Sequence, residues 1–248
     1  MRRIAFFGGS FDPPHRGHLA IATAAADRFA LDRILFVPVG RQPLKSSCPT
    51  SEFVHRYAMT ALATQADARF IPSLLDAPRE GDDAARPNYT VETLTRLRAS
   101  MAAEPEPVEL FTLLGADSWL DIALWFQAPR LLALTDWIVA GRPGFSLRHA
   151  EAALPPQVTA QRLGISIDDA IQNSPKDSPD CGLLLHHQDV PPTRVWFLPH
   201  LNEAVSATGV RAALDQGQLD AAFLPPAVRD YITKTDIYGS PKVPRPLL

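Results

Sequence analysis

The sequence predicts an α/β fold in which helices cover both faces of a parallel β-sheet. Short apolar runs, typical of buried strands, alternate with longer segments that favour helix, and most of the runs end at glycine or proline. Hydrophobic residues make up 46% of the 248 residues, which is enough for a sizeable core. Single α/β domains of this length are common, so we expect one domain over residues 1–248.

Apolar runs predict the strands. The run Val108–Leu114 is the clearest core strand, and Gly115 ends it. In chain order the predicted strands are Arg3–Phe7, Ile34–Val37, Arg69–Leu74, Val108–Leu114, Trp137–Val139 and Val195–Leu198. Helical segments lie between most successive strands, so we expect the strands to run parallel.

Segments between the strands predict the helices. Thr90 fits an N-cap, with Glu92 in the first turn after it, where the helix dipole favours an acid. The predicted helices are Gly17–Ala30, Ser51–Ala66, Val91–Ala103, Ser118–Phe126 and Pro129–Leu134, then Thr208–Gln216 and Pro226–Thr233 in a C-terminal helical part over residues 206–234. Residues 148–194 have weaker periodicity and a polar, proline-broken stretch, so we interpret them as a surface excursion.

The composition excludes several function classes. The net charge is −3 and the pI is near 6.2, so no general basic field is available to hold nucleic acid or an anionic membrane surface. No run approaches the roughly 18 apolar residues that a membrane helix needs, and we expect a cytoplasmic protein. Cys48 and Cys181 lack the spacing of a zinc or redox motif, so we expect ordinary reduced thiols.

The loop after the first strand, Gly8–His18, has the features of a phosphate site. Its glycines let the backbone approach a ligand closely, and a predicted helix N-terminus, which favours anions, follows. His15 and His18 lie three positions apart, so both rings can face one point. A lone histidine here would more often be a helix cap or an exposed side chain, but two histidines among glycines favour a ligand site. Zinc is disfavoured because the loop has no third and fourth ligand.

Two motifs resemble those of the nucleotidylyltransferase superfamily. His15, Gly17 and His18 match its His-x-Gly-His box, and the longer run Gly8–His18 is similar to that of bacterial nicotinate-nucleotide adenylyltransferases. Near the C-terminus, the run Ser206–Arg211 matches the Ser-x-Thr-x-x-Arg signature. The resemblance implies a Rossmann-like, doubly wound parallel sheet with small C-terminal helices. It also implies adenylyl transfer from ATP to nicotinate mononucleotide, with Mg²⁺, to give nicotinate adenine dinucleotide and pyrophosphate in NAD biosynthesis.

The resemblance assigns roles to individual residues. His15, His18, Lys45 and Arg211 are the expected catalytic residues, and Thr208 fits the N-cap of the helix that carries Arg211. The ATP-binding residues implied by the match are Gly8, Gly9, Ser10, Phe11, Gly17, Gly115, Asp117, Arg142, Ser206 and Thr208. The Lys45 loop departs from the family pattern, since Leu44 replaces the usual histidine and Gln42 replaces a proline.

Three residues are implied on the nicotinate side. Thr90 matches a threonine that helps to hold the carboxylate, and it would otherwise be a plain helix cap. Trp125 and Phe126 match an aromatic pair that stacks on the pyridine ring and offers a backbone amide to its carboxylate, whereas Trp119 and Trp137 are expected in the core. Two alternatives remain open: transfer to another phosphate acceptor, such as phosphopantetheine, and a nucleotide-binding regulatory module without catalysis.

Overall fold

The computed structural model describes residues 1–43, 50–79, 81, 86–141, 145–163, 182–198, 207–215 and 223–238. These residues contain one eight-stranded sheet. Its strands are β1 (Arg2–Gly9), β2 (Arg33–Pro38), β3 (Phe70–Pro72), β4 (Val108–Gly115), β5 (Asp136–Ala140), β6 (Thr159–Leu163), β7 (Gly182–His187) and β8 (Val190–Leu198). The described helices are α1 (Arg16–Phe29), α2 (Phe53–Thr64), α3 (Thr90–Ala102), α4 (Ala116–Leu120), α5 (Ala128–Leu132), α6 (Leu147–Ala152), α7 (Ala207–Asp215) and α8 (Pro226–Thr235).

The sheet is mostly parallel and doubly wound, as the sequence predicts. Its strand order is β3-β2-β1-β4-β5-β8-β7-β6, and every pairing from β3 to β8 is parallel. The chain leaves the central strand β1 toward β2 and β3, then crosses back to β4 and β5 on the other side. The order of the strands therefore reverses between β1 and β4, which is where open α/β sheets bind ligands.

Helices cover both faces of this sheet. On one face, α1 presents the small side chains Ala22, Ala25 and Ala26, which are almost completely buried against β1, β2 and β4. The opposite face packs under α3, α4 and α5, where Trp119 and Trp137 are fully buried with their rings edge to face. This placement confirms that the two tryptophans are core residues. Alanine at the contact lets α1 lie close to the sheet, since it has little side-chain volume.

Part of the segment 148–194 belongs to the sheet, which corrects its interpretation as a surface excursion. β7 pairs antiparallel with β8, and β6 pairs antiparallel with β7 at the sheet edge. Pro191 and Pro192 lie in β8 ahead of the residues that pair with β5, so neither removes a hydrogen bond between those two strands. The polar stretch that suggested a loop lies within residues 164–181, outside the described residues, as does Cys181.

Several predicted helix bounds also change. The predicted helix Ser118–Phe126 is α4 followed by a single 3₁₀ turn at Ile122–Leu124. Tyr89, rather than Thr90, is the N-cap of α3, and Thr90 is its first helical residue. The C-terminal helices α7 and α8 pack on α2 through a small separate apolar cluster that includes Met59, Val210 and Val228. Among the described residues, no helix is long and apolar enough to cross a membrane.

Candidate active site

The candidate site lies above the carboxyl ends of β1 and β4. Phe7 of β1 pairs with Leu113 of β4. Each strand ends two residues later, β1 at Gly9 and β4 at Gly115. The loops that leave the two strands therefore start side by side at the switch point of the sheet. The first loop carries His15 into α1, and the second leads directly into α4.

His15 and His18 form a stacked pair at the N-terminus of α1. Their ring centroids are 3.7 Å apart with an interplanar angle of 28°. The backbone N–H of His15, which is the N-cap residue, donates to Nδ1 of His18 at 3.2 Å. His18 thus takes the place that glutamate or glutamine has in a capping box. Because Nδ1 accepts this bond, the proton of the neutral ring is on Nε2, on the far side of the ring from the helix backbone.

The stacking limits the charge of the pair. Two positive charges about this far apart would repel by about 4 kcal/mol near a protein surface, so a positive charge on both rings at once is unfavourable. His15 is buried, at 5% exposure, while His18 is half-buried. His18, the more accessible ring, thus carries its N–H on Nε2, and an N–H is the type of donor that a phosphate oxygen accepts.

Phe11 holds the phosphate loop against the sheet. Its φ is +47°, and its side chain has no exposed surface. The ring packs edge-on against Phe7 and His18, at 5.5 and 5.0 Å between centroids. An added Cβ at Gly9 would lie 3.3 Å from this ring, a tighter contact than most side chains make. Phe11 was predicted to bind ATP, and this burial leaves only its backbone for such a contact.

Asp12 connects the two sequence motifs. Arg211, 199 positions away in the chain, donates from Nη1 to the backbone oxygen of Asp12 at 2.6 Å. The Asp12 carboxylate is 1% exposed and accepts from the Ser51 amide at 3.1 Å and from the Tyr238 hydroxyl at 2.5 Å. Burial and the neighbouring Asp12 charge raise the pKa of Tyr238, which keeps the phenol protonated as a donor. The structure thus brings Arg211 onto the loop that carries both histidines.

Sequence reasoning did not find Arg56 or Tyr238. Arg56, on α2, is 2% exposed, and its guanidinium donates to backbone carbonyls of the loops that follow β1 and β2. Burial lowers the pKa of Arg56, while the neighbouring Asp12 charge acts to raise it. A lone arginine in a helical segment usually lies in solvent, so the sequence carries no signal for this role.

On the nucleotide side, the structure places some of the predicted residues. Gly115 is the last residue of β4, and an added Cβ there would meet no atom of the described residues within 4 Å. Asp117 is exposed in the first turn of α4, and Gly17 is buried in the first turn of α1. Thr208 is the second residue of α7 rather than its N-cap. The remaining predicted residues, Lys45, Arg142 and Ser206, lie outside the described residues.

On the predicted nicotinate side, an aromatic pair lies near the start of α3. The rings of Tyr89 and Phe126 are 4.3 Å apart and tilted by 33°, and Phe126 is 45% exposed. Trp125 is half-buried and packs against the core, so its indole is less available than the Phe126 ring. Thr90, next to Tyr89, lies at the N-terminus of α3, where free N–H groups and the helix dipole favour a carboxylate.

Comparison with known proteins identifies the family. Residues 6–213 match the family model described as cytidylyltransferase-like. The chain belongs to this family. It is 33% identical over 236 residues, covering 95% of this chain and 91% of the relative, to a Moorella thermoacetica protein named "Probable nicotinate-nucleotide adenylyltransferase". A Thermus thermophilus protein of the same name is 34% identical over 236 residues, covering 95% of this chain and 99% of the relative.

Solved structures share the same fold. The nicotinic acid mononucleotide adenylyltransferase of Plasmodium falciparum, solved in complex with NaAD, superposes with a TM-score of 0.63 at 16% identity. The match covers 96% of this chain and 98% of that chain. The resemblance of the two motifs to the nicotinate-nucleotide adenylyltransferases, inferred from the sequence, is therefore confirmed at the level of family and fold.

The residues that the structure describes do not form a protein cage for a metal ion. Within the described ranges, no group of three or more histidine, cysteine, aspartate or glutamate side chains could hold a metal. The carboxylate of Asp12, beside the histidine pair, is buried and already accepts from the Ser51 amide and the Tyr238 hydroxyl. Mg²⁺ that accompanies nucleotide phosphates usually takes few protein ligands.

Proposed function

We propose that this chain joins ATP and nicotinate mononucleotide to give nicotinate adenine dinucleotide and pyrophosphate, a step of NAD biosynthesis that we place in the cytoplasm. A 5′-phosphate oxygen of the mononucleotide attacks the α-phosphorus of ATP. The bond from the α-phosphorus to the bridging oxygen breaks, and pyrophosphate leaves with that electron pair. No covalent enzyme intermediate is required, because positioning and charge stabilisation account for most of the catalysis in phosphoryl-type transfers.

One observation carries this proposal. The His-x-Gly-His box and the Ser-x-Thr-x-x-Arg box are at opposite ends of the chain, and the Arg211 guanidinium nevertheless bonds to the backbone of the histidine loop at 2.6 Å. Two anion-binding features thus meet at the switch point of the sheet. Curated relatives that align over nearly the whole chain are named for this reaction.

Each group in the site has a proposed role. His18 donates its Nε2–H to the α-phosphate and stabilises the charge that develops there. His15 and Arg211 contact the β- and γ-phosphates that leave as pyrophosphate, because a guanidinium presents a planar fork to phosphate oxygens. Lys45 directs the attacking phosphate. ATP enters as its Mg²⁺ complex, and the ion supplies Lewis-acid stabilisation of the phosphates.

The mononucleotide is proposed to bind between β4 and α3. The N-terminus of α3, with Thr90, receives the pyridine carboxylate, since the N–H groups of a helix start favour an anion. The exposed face of Phe126, beside Tyr89, offers a flat surface for the pyridine ring. A carboxylate on the ring is central to this arrangement, so the acid form of the mononucleotide is the expected substrate.

Pyrophosphate release tests the proposal directly. We expect release from ATP and Mg²⁺ with nicotinate mononucleotide, weaker release with nicotinamide mononucleotide, and none with 4′-phosphopantetheine. Absence of release with all three acceptors would overturn the adenylyltransferase assignment. If the amide were the better substrate, the role of Thr90 and the α3 N-terminus would be wrong while the reaction type would stand.

A further inference from the structure

The guanidinium of Arg56 joins three separate segments at the carboxyl edge of the sheet. Nη1 donates to the backbone oxygens of Ser10 and Val39 at 2.9 and 2.7 Å. Nη2 donates to the backbone oxygen of Gly40 at 3.3 Å, and Nε to that of Ser51 at 2.9 Å. Ser10 follows β1, Val39 and Gly40 follow β2, and Ser51 precedes α2. One buried side chain therefore contacts the starts of two ligand loops.

We propose that Arg56 is a positioning residue for adenylyl transfer: it fixes the peptide planes of these loops so that their N–H groups face the ligands. The inference rests on the proposed function, and Arg56 itself touches no reacting atom. It would set the direction of the anion-binding amides after β1 and hold the loop after β2 in register with the mononucleotide side of the site.

The reason lies in the geometry of a trans peptide group, which holds its carbonyl and its N–H on opposite sides. Because the Ser10 oxygen faces Arg56, the N–H of Phe11 faces away from it. The Phe11 amide is the only part of this residue available to ATP, since its ring is buried. Rotating this amide would break the bond between Ser10 and Arg56. Arg56 thus restricts the orientation of the Phe11 N–H, which is a predicted hydrogen-bond donor to a phosphate of ATP.

The same geometry is directly visible in the second loop. The Gly40 oxygen accepts from Arg56, and the N–H of the next residue, Arg41, points the other way and donates to Oδ1 of Asn88 at 2.9 Å. The backbone N–H of Asn88 in turn donates to the backbone oxygen of Arg41 at 3.0 Å. Asn88 is two residues before Thr90. Arg56 is therefore connected, through one loop, to the helix start that we propose for the nicotinate carboxylate.

The environment of Arg56 favours a guanidinium over any other cation. Its central carbon lies 5.6 Å from the ring centroid of Phe53, and its in-plane N–H groups reach several carbonyls at once. The buried Asp12 carboxylate provides compensating negative charge. Lysine has the charge but not the planar, forked donor set, so it cannot hold both loops in the same way.

Chemical rescue separates positioning from simple stabilisation. In Arg56→Ala we expect kcat/KM to fall by about 100-fold, the size of effect that misplacement of about 1 Å produces. Millimolar guanidinium should restore at least a tenth of the lost kcat/KM, whereas sodium at equal ionic strength should not. Arg56→Lys should remain folded and still show most of the loss in kcat/KM. Nucleotide affinity, measured by calorimetry with a non-hydrolysable ATP analogue, should weaken and recover in parallel.

Arg3 provides a matched control at the opposite edge of the sheet. Its guanidinium also bonds to a backbone oxygen, that of Phe29 at 3.1 Å, and it pairs with Glu109 at 2.8 Å. Arg3→Ala should lower the free energy of unfolding without changing kcat or either KM. The proposal is overturned if guanidinium rescues neither activity nor affinity in a folded variant, or if Arg3→Ala shows the same kinetic loss at equal stability.

The test stays decisive if Arg56→Ala fails to fold or if the wild-type chain is inactive. If Arg56→Ala does not fold, the Arg56→Lys variant carries the test, and near-normal kcat/KM in that variant would refute the proposal. If the wild-type chain forms no dinucleotide, the proposed function fails, while analogue affinity and its rescue still decide whether Arg56 positions the loops.

Discussion

The substitution His18→Asn separates the two tasks of this ring. The Nδ1 atom accepts from the His15 backbone N–H at 3.2 Å, while Nε2 carries the donor that we propose for the α-phosphate. The Oδ1 atom of asparagine can take the place of Nδ1, because both are acceptors one bond beyond Cγ. Asparagine has no group at the position of Nε2. The variant should therefore keep the acceptor that caps the helix and lose the N–H that donates to the α-phosphate.

The expected magnitudes follow from these contacts. Loss of a preorganised donor to developing charge usually costs 10²- to 10³-fold in kcat, or roughly 3–4 kcal/mol. Retention of the cap acceptor should limit the loss of stability in His18→Asn to about 1 kcal/mol, mainly from the ring contacts with Phe11 and His15. His18→Ala loses the acceptor as well, which adds about 1 kcal/mol to the loss of stability.

Steady-state pyrophosphate release and urea denaturation of the three proteins provide the assay. We expect the two variants to lose turnover alike and to differ in free energy of unfolding, with little change in the KM for ATP. Turnover of His18→Asn within a few-fold of wild type would refute the phosphate role. Equal destabilisation by asparagine and alanine would refute the assignment of Nδ1 as the cap acceptor.

Three other predictions test the surroundings of the site. Tyr238→Phe leaves a buried oxygen of Asp12 without its donor and should lower the free energy of unfolding by roughly 1.5–3 kcal/mol in urea, a result that an unchanged midpoint would contradict. Gly115→Ala should leave the thermal midpoint unchanged and raise the KM for ATP, whereas Gly40→Ala, whose Cβ would lie 2.5 Å from a backbone oxygen, should destabilise the fold. Burial raises the pKa of Asp76, so wild-type stability should fall as pH rises from the ordinary aspartate range through that raised pKa. Burial also raises the pKa of Asp136, so Asp76→Asn should show a smaller fall, and parallel profiles by urea titration would disprove the assignment.

The parallel part of the fold could be predicted because its strands carry continuous apolar runs. The predicted strand Val108–Leu114 differs from β4 by one residue, and the helix predicted from Gly17 to Ala30 is α1 shifted by one. The antiparallel edge could not be recognised in the same way. In β6, Thr159, Gln161 and Arg162 are all exposed, so that strand has little apolar pattern to detect.

In the candidate site, contacts between residues close in the sequence could be predicted, whereas contacts between separate segments could not. The pairing of His15 with His18 follows from their spacing at a helix start, and the structure places the rings in contact. The role of Arg56 depends instead on carbonyls contributed by three separate segments, and no spacing in the sequence records that convergence. Asp12 lies inside the recognised motif, but its contact with Tyr238, 226 positions away, is a property of the folded chain alone.

These distant contacts explain why a loop rich in glycine and proline can hold a reactive geometry. Loops are usually the mobile part of an α/β fold, and their backbone groups are costly to bury unless partners are supplied. Here the partners come from elements that flank the site: Arg56 from α2, Arg211 from α7 and Tyr238 from the turn after α8. The C-terminal helices therefore do more than complete the fold. Because they bond to the loop that carries the histidines, loss of their packing should reduce catalysis before it unfolds the sheet.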